Sequence, residues 1–220
     1  LTQPADTSAN ITPKALTVSG TVVSNKVYDR TTSATVTSGT LVGLIASDVG
    51  NVSLTQAGTF GSANVGNGIA VDINHSISGS AASNYTLTQP TGLTANITPK
   101  SLAITANSVN TTYGTSVNLD NTAYSQSGLI SGDTLSSITI SYNGSSSVPA
   151  SVAAGTYSGA IVASGATGIG LSNYEISYVP GTLTIARATL TLTPIAKSVS
   201  YNGGTLNATS YSANASNYSI

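Results

Sequence analysis

The sequence predicts a mostly β protein built from small tandem domains, with at most short helical turns. Three observations carry this prediction. Apolar and polar residues alternate with the period of two that half-buried strands require. Asn-Gly dipeptides, which favour tight hairpin turns, recur along the chain. Longer segments are repeated at a spacing close to 86 residues.

The repeat sets the expected domain boundaries. LTQPADTSANITPK begins at residue 1 and LTQPTGLTANITPK at residue 87, and GLIASD and SNYTL in the first copy are matched by GLISGD and SNYEI in the second. A unit of this length can bury a core of its own. We therefore expect the tail of a preceding repeat at 1–13, full domains at 14–98 and 100–186, and a partial third repeat at 188–220.

Strands are predicted wherever the alternation is sustained. The residues that define these strands are Ile69, Val71, Ile73, His75 and Ile77 in the first domain, Ile138, Ile140 and Tyr142 in the second, and Leu190 and Leu192 in the third. Tight turns with positive φ are predicted at Asn67-Gly68, Asn143-Gly144 and Asn202-Gly203. Helix is expected only as one or two turns around 43–49 and 128–136.

The apolar face of the strand switches at each junction between repeats. Ala95 and Ile97 occupy odd positions, whereas Leu102 and Ile104, beyond Pro99, occupy even positions. A strand whose buried face changes side is leaving one core and entering the next. Because no Gly/Ser linker separates the repeats, we expect short, fairly stiff junctions and an elongated rod.

Composition argues against several classes of function. Charged residues make up 6% of the chain and the net charge is −1, so the basic surface that nucleic acid requires is missing. No apolar run approaches the roughly 20 residues needed to span a bilayer. The chain has no cysteine and a single histidine, His75, whose neighbours Asp72 and Ser76 would face the other side of its strand. We therefore expect no catalytic, cofactor or metal site.

Tyrosines are the side chains best suited to contact a ligand. Tyr28 and Tyr85 recur at the same register in later repeats, which favours a structural role in each domain. Tyr124, Tyr142 and Tyr211 have no counterpart in the first repeat, so they are the candidate ligand-binding residues. Ten asparagines precede Ser or Thr by two positions. Turn composition explains them somewhat better than glycosylation does.

The motifs match a known pair of domains. KVYDRTT at 26–32, FGSANVGNGIAV at 60–71 and SGSAASNYTL at 78–87 resemble the YDG domain. TTYG at 111–114 and GLISGDTLS at 128–136, with AGTY and SNYEISYVPGTLTI farther on, resemble the MBG (mostly β-grasp) domain. Arg30 stands where the YDG pattern has glycine. If that glycine serves a turn with positive φ, we expect Arg30 to adopt a different turn.

This resemblance implies β-grasp-like domains and a bacterial setting. Such domains occur in tandem in large surface adhesins similar to filamentous haemagglutinin. The implied role is a structural stalk or interaction module, secreted or anchored at the cell surface, with neighbouring repeats as its partners and no catalysis. The alternative is a module that binds a host or matrix glycan or a surface protein in attachment or biofilm contact. Lacking methionine, the chain is expected to be a piece of a longer protein.

Overall fold

A computed structural model describes residues 8–191 and the short strand at 218–219. These residues form two compact units. The first contains residues 8–100 together with Ser172–Glu175, and the second contains the remaining described residues. Both units are mostly β, with helix limited to three-residue 3-10 turns, so the predicted fold class is confirmed. The elongated rod stays a prediction, and Tyr211 and most of the partial third repeat lie outside the described residues.

Twelve strands build the first unit, together with 3-10 turns at Ala46–Asp48 and Ala82–Asn84. The strands are β1 (Lys14–Ser19), β2 (Val22–Val23), β3 (Lys26–Val27), β4 (Ser33–Ala34), β5 (Val36–Thr37), β6 (Thr40–Val42), β7 (Ser53–Thr55), β8 (Gly58–Phe60), β9 (Gly66–Ile73), β10 (Ser76–Ser78), β11 (Tyr85–Thr88) and β12 (Thr94–Thr98).

Two sheets organise the first unit. In the smaller one, β1 lies between β11, which runs parallel to it, and the antiparallel β6. The larger one has the order β3-β12-β9-β8-β4, with β12 parallel to β3 and antiparallel to β9. Two strand pairs, β2-β5 and β7-β10, complete the unit. The first and last strands of the repeat therefore lie in different sheets, each with a parallel neighbour.

The core of the first unit follows the predicted alternation. Leu16 on β1 is fully buried and packs with Val52, Ala81 and Tyr85. On the larger sheet the buried side chains come from every second position of the paired strands. These include Phe60, Val71, Ile73, Ala95 and Ile97. Burial of such side chains is the main stabilising contribution, because each removes apolar surface from water.

Ten further strands and a 3-10 turn at Leu171–Asn173 follow. They are β13 (Lys100–Ala106), β14 (Val109–Thr112), β15 (Val117–Asn118), β16 (Tyr124–Ser127), β17 (Ser137–Tyr142), β18 (Ser147–Val148), β19 (Gly155–Thr167), β20 (Tyr174–Val179), β21 (Gly181–Ala186) and β22 (Ala188–Thr189). Strand β22 pairs in parallel with β23 (Tyr218–Ser219).

The second unit repeats the sheet plan of the first. Its first strand, β13, is central in the sheet β16-β13-β20, and its late strand β21 lies between β14 and β19 in the sheet β14-β21-β19-β17. As in the first unit, β14 and β21 run parallel. Leu102 and Ile104 on β13 are fully buried, so the buried positions change from odd to even past Pro99 as predicted.

The predicted turns have mixed outcomes. Asn143-Gly144 is confirmed as a hairpin turn, since both residues have positive φ (47° and 77°) and Tyr142 exchanges backbone hydrogen bonds with Ser145. The prediction at Asn67-Gly68 is wrong: both residues lie inside β9, where the register against β12 shifts. Gly68 has φ of 62° there and its N–H is held by the side chain of Asn96, as in a β-bulge. Asn202-Gly203 lies outside the described residues.

Of the two predicted helical turns, one is confirmed and one is wrong. The 3-10 turn at Ala46–Asp48 confirms the first. The second, around 128–136, is wrong, because the chain there forms bends and an isolated bridge between Ser131 and Asp133. The remaining 3-10 turns lie at the SNY motifs, at Ala82–Asn84 and Leu171–Asn173, where no helix was expected. Three-residue turns carry no apolar periodicity, so the sequence offers little signal for them.

Candidate functional site

The KVYDRTT segment forms a compact loop around one lysine. The Nζ of Lys26 donates to Asp29 Oδ1 at 2.8 Å and to the backbone oxygens of Thr31 and Ser33 at 2.6 and 3.1 Å. It also lies 5.5 Å from the centre of the Phe60 ring. The ammonium thereby holds the loop together through charge-assisted hydrogen bonds and contacts the core strand β8 through a cation–π interaction with Phe60.

Asp29 closes the same loop. Its Oδ1 accepts hydrogen bonds from the backbone N–H and the hydroxyl of Thr31, both at 2.9 Å. Burial opposes its ionisation, but the hydrogen bonds from Lys26 and Thr31 outweigh this and lower the pKa of Asp29. The lysine and aspartate of the motif thus stabilise a turn.

Arg30 occupies a left-handed conformation in that turn, with φ of 66°. The expectation that Arg30 would adopt a different turn from a glycine is therefore wrong. The hydrogen bonds that join Lys26 and Asp29, before Arg30, to Thr31, after it, hold the backbone in the glycine-like conformation despite the strain of the Cβ.

His75 is buried, with 5% of its surface exposed, and lies between β9 and β10. Its Nδ1 accepts the N–H of Ala57 at 3.2 Å, and the side chain of Gln89 hydrogen-bonds both the N–H and the carbonyl of His75. Burial lowers the pKa of the imidazole. These contacts fix His75 in the break between the two strands.

A surface pocket of about 420 Å³ lies in the first unit. Residues 11–14 line it together with Ile45, Asp48, Ser83 and Asn84. The last four belong to the repeated GLIASD and SNYTL motifs, and residues 11–14 to the repeated ITPK. Ile11 is fully exposed and Ile45 is 47% exposed, so the pocket carries unusually accessible apolar side chains.

The hydroxyl of Tyr85 hydrogen-bonds the carboxylate of Asp48, which lines this pocket. Its hydroxyl donates to Asp48 Oδ2 at 2.7 Å and accepts the N–H of Ile45 at 3.2 Å. Burial and the hydrogen bond to Asp48 raise the pKa of Tyr85. The tyrosine therefore joins the SNY and GLIASD motifs while its ring packs in the core. The predicted structural role for this repeated tyrosine is confirmed.

Residues Ser172–Glu175 contribute a second copy of the SNY motif to the first unit. Asn173 Oδ1 accepts the N–H of Val65 at 2.9 Å, and its Nδ2 donates to Asn64 Oδ1 at 3.3 Å. The rings of Tyr174 and Tyr28 meet edge to face, 5.5 Å between centres. The N-V dipeptide of the FGSANVG segment is thus a contact site for an SNY turn.

The candidate ligand-binding tyrosines are spread over the structure. Tyr124 begins β16 and Tyr142 ends β17, in different sheets, and both are half-buried. Tyr211 lies outside the described residues. Their role in binding stays a prediction.

Within residues 8–191, no group of three or more metal-ligating side chains comes together. Among the described residues, no helix is long and apolar enough to cross a membrane.

Comparison with protein families decides what the repeated motifs are. A model of the YDG domain matches residues 12–92, and a model of the MBG domain (YGX type) matches residues 102–184. The chain contains a YDG domain followed by an MBG domain. No curated protein and no solved structure matches it significantly.

The match explains which residues sequence reasoning overlooked. In the YDG domain, Lys26 organises the signature loop, and the pocket residues around Asn84 come from three motifs that each occur a second time later in the chain. In the sequence, repetition indicates the domain boundaries, and in the structure three of the repeated motifs meet at the pocket. The repeated SNY turn was the signal that could have located the pocket.

Proposed function

We propose that this chain is a structural module of a large bacterial surface adhesin, acting at or beyond the cell surface and carrying no catalytic site. YDG and MBG domains are of the kind found in surface adhesin-like proteins. The module would separate and present other parts of the protein, and its partners would be neighbouring domains of the same chain.

One observation carries the proposal: the two domains follow each other with no flexible linker. Strand β12 ends at Thr98 and β13 begins at Lys100, so a single residue separates the last strand of one sheet from the first strand of another. The buried face changes at this point. A flexible tether would instead contain a polar or glycine-rich segment that is free of strands.

The surface chemistry also supports a spacer. Only 6% of residues are charged, and Ser and Thr supply 68 of 220 residues. Such a surface stays hydrated through hydroxyl groups and offers few strong charges for nonspecific association. His75, the single histidine of the sequence, is buried and engaged in hydrogen bonds, so its imidazole serves the fold of the domain.

Binding measurements test the proposal. The purified chain, shown to be folded by circular dichroism and cooperative unfolding, would be applied to a broad glycan array and to intact target cells. A spacer should show no saturable binding. Reproducible binding to one glycan class would overturn the spacer function and favour the alternative, a module for attachment or matrix contact; alanine variants of Tyr124 and Tyr142 would then test those residues.

Small-angle scattering of the same sample tests the predicted elongated rod. A distance distribution with a long tail, and a radius of gyration well above that of a compact protein of this length, would agree with it. A compact globule would contradict a spacer.

A further inference from the structure

The two SNY turns have the same sequence, but their asparagine side chains differ in exposure and in contacts. Asn173 is 4% exposed and binds the backbone of Val65, whereas its counterpart Asn84 is exposed and lines the surface pocket. Tyr85 and Tyr174, the following residues, are both buried. The difference between the asparagines therefore arises from what covers each turn.

The segment before β1 shows the same contrast. Residues 9–13 and 95–99 both read ANITP. In the second copy Ile97 is 1% exposed within β12, a strand in the interior of the larger sheet. In the first copy Ile11 is 100% exposed beside the pocket. An apolar residue that is buried in a sheet in one copy and fully exposed in the other indicates a missing neighbour.

We propose that the pocket formed by residues 11–14, Ile45, Asp48, Ser83 and Asn84 is the docking site for a preceding domain of the YDG class. Residues 9–13 supply the last strand of that domain. Its loop equivalent to 62–66 binds Asn84 as Asn64 and Val65 bind Asn173. The proposal rests on one part of the proposed function, namely that neighbouring domains of the same chain are its partners.

The chemistry of the pocket suits this occupant. The amide of Asn84 can accept a backbone N–H and donate to a side-chain oxygen, which are the two bonds that Asn173 makes. The exposed side chains of Ile11 and Ile45 supply apolar surface for a neighbouring domain to cover.

An extended chain tests the proposal. A copy of residues 14–86 is placed directly before residue 1, so that residues 1–13 stand where 87–99 stand in the first domain. Hydrogen exchange should show the amides of residues 9–12 protected in the extended chain and unprotected in the 220-residue chain. If they remain unprotected in the extended chain, the segment does not complete a domain and the proposal fails.

The variant Asn84→Ala then tests the docking contact. In the 220-residue chain we expect Tm to be unchanged, because Asn84 is exposed. In the extended chain we expect a decrease of about 4 °C, similar to that of Asn173→Ala in the 220-residue chain. Asn67→Ala, at an exposed asparagine outside the pocket, should have no effect in either chain.

An equal effect of Asn84→Ala in both chains would overturn the docking contact. Because this readout is the stability of the protein, its failure is separate from that of the proposed function, which the binding measurements test.

Discussion

Replacing Arg30 by glycine should stabilise the first unit. Arg30 has φ of 66°, where the Cβ of an L-residue approaches the backbone and costs about 1–2 kcal/mol. Glycine avoids this cost but loses about 0.4–1 kcal/mol through its greater freedom in the unfolded chain. The net gain is about 0.5–1 kcal/mol, which corresponds to a rise in Tm of about 2–8 °C for a domain of this size.

The matched control is Arg30→Ala. This variant removes the guanidinium but keeps the Cβ, so the difference between the alanine and glycine variants isolates the backbone strain. Asn143→Gly is a second control, since Asn143 also has positive φ (47°) but asparagine tolerates that conformation. Asn143→Gly should change the free energy of unfolding by less than the difference between Arg30→Gly and Arg30→Ala.

Calorimetry of the full chain gives Tm. Hydrogen exchange at the amides of Tyr28 and Phe60, which are hydrogen-bonded to backbone oxygens within the first unit, assigns the change to that unit. If the glycine variant is no more stable than the alanine variant, the backbone of Arg30 carries no strain and the reasoning is refuted.

Four other substitutions test side-chain contacts and glycine positions of the first unit. Because burial lowers the pKa of His75 below its ordinary value of 6.5, the unfolded chain binds the proton more readily; stability should be complete above pH 6.5 and decrease as the pH falls below it. Denaturant titrations between about pH 7.5 and 5.5 would show this, and His75→Gln should remove most of the dependence. Tyr85→Phe should lower Tm by removing the hydroxyl that bonds Asp48, whereas unchanged thermal unfolding would show that this bond contributes nothing. Gly79→Ala should destabilise by about 2–4 kcal/mol in chemical denaturation, since its φ is 120° and a Cβ would overlap a backbone carbonyl oxygen. Gly50→Ala, with φ of 89° and open space around it, should cost only about 1 kcal/mol, and equal costs would contradict the steric explanation.

The recognition of the site from sequence was partial. Lys26 and Asn84 belong to the KVYDRTT and SNYTL motifs, but the motifs do not predict the contacts that these two side chains make. Lys26 bonds residues three to seven positions away, and the pocket joins residue 11 to residue 84. Alternation of apolar residues reports which face of a strand is buried and carries no information about such loop contacts.

The sequence by itself determined the mostly β class, the pair of domains and the switch of buried face past Pro99. These features depend on local alternation and on repetition, which can be read along the chain. Only the tertiary structure decided the conformation of Arg30, the bulge at Gly68 and the different environments of Asn84 and Asn173. In each case identical or similar local sequences are compatible with more than one backbone or environment, and contacts from residues distant in sequence select between them.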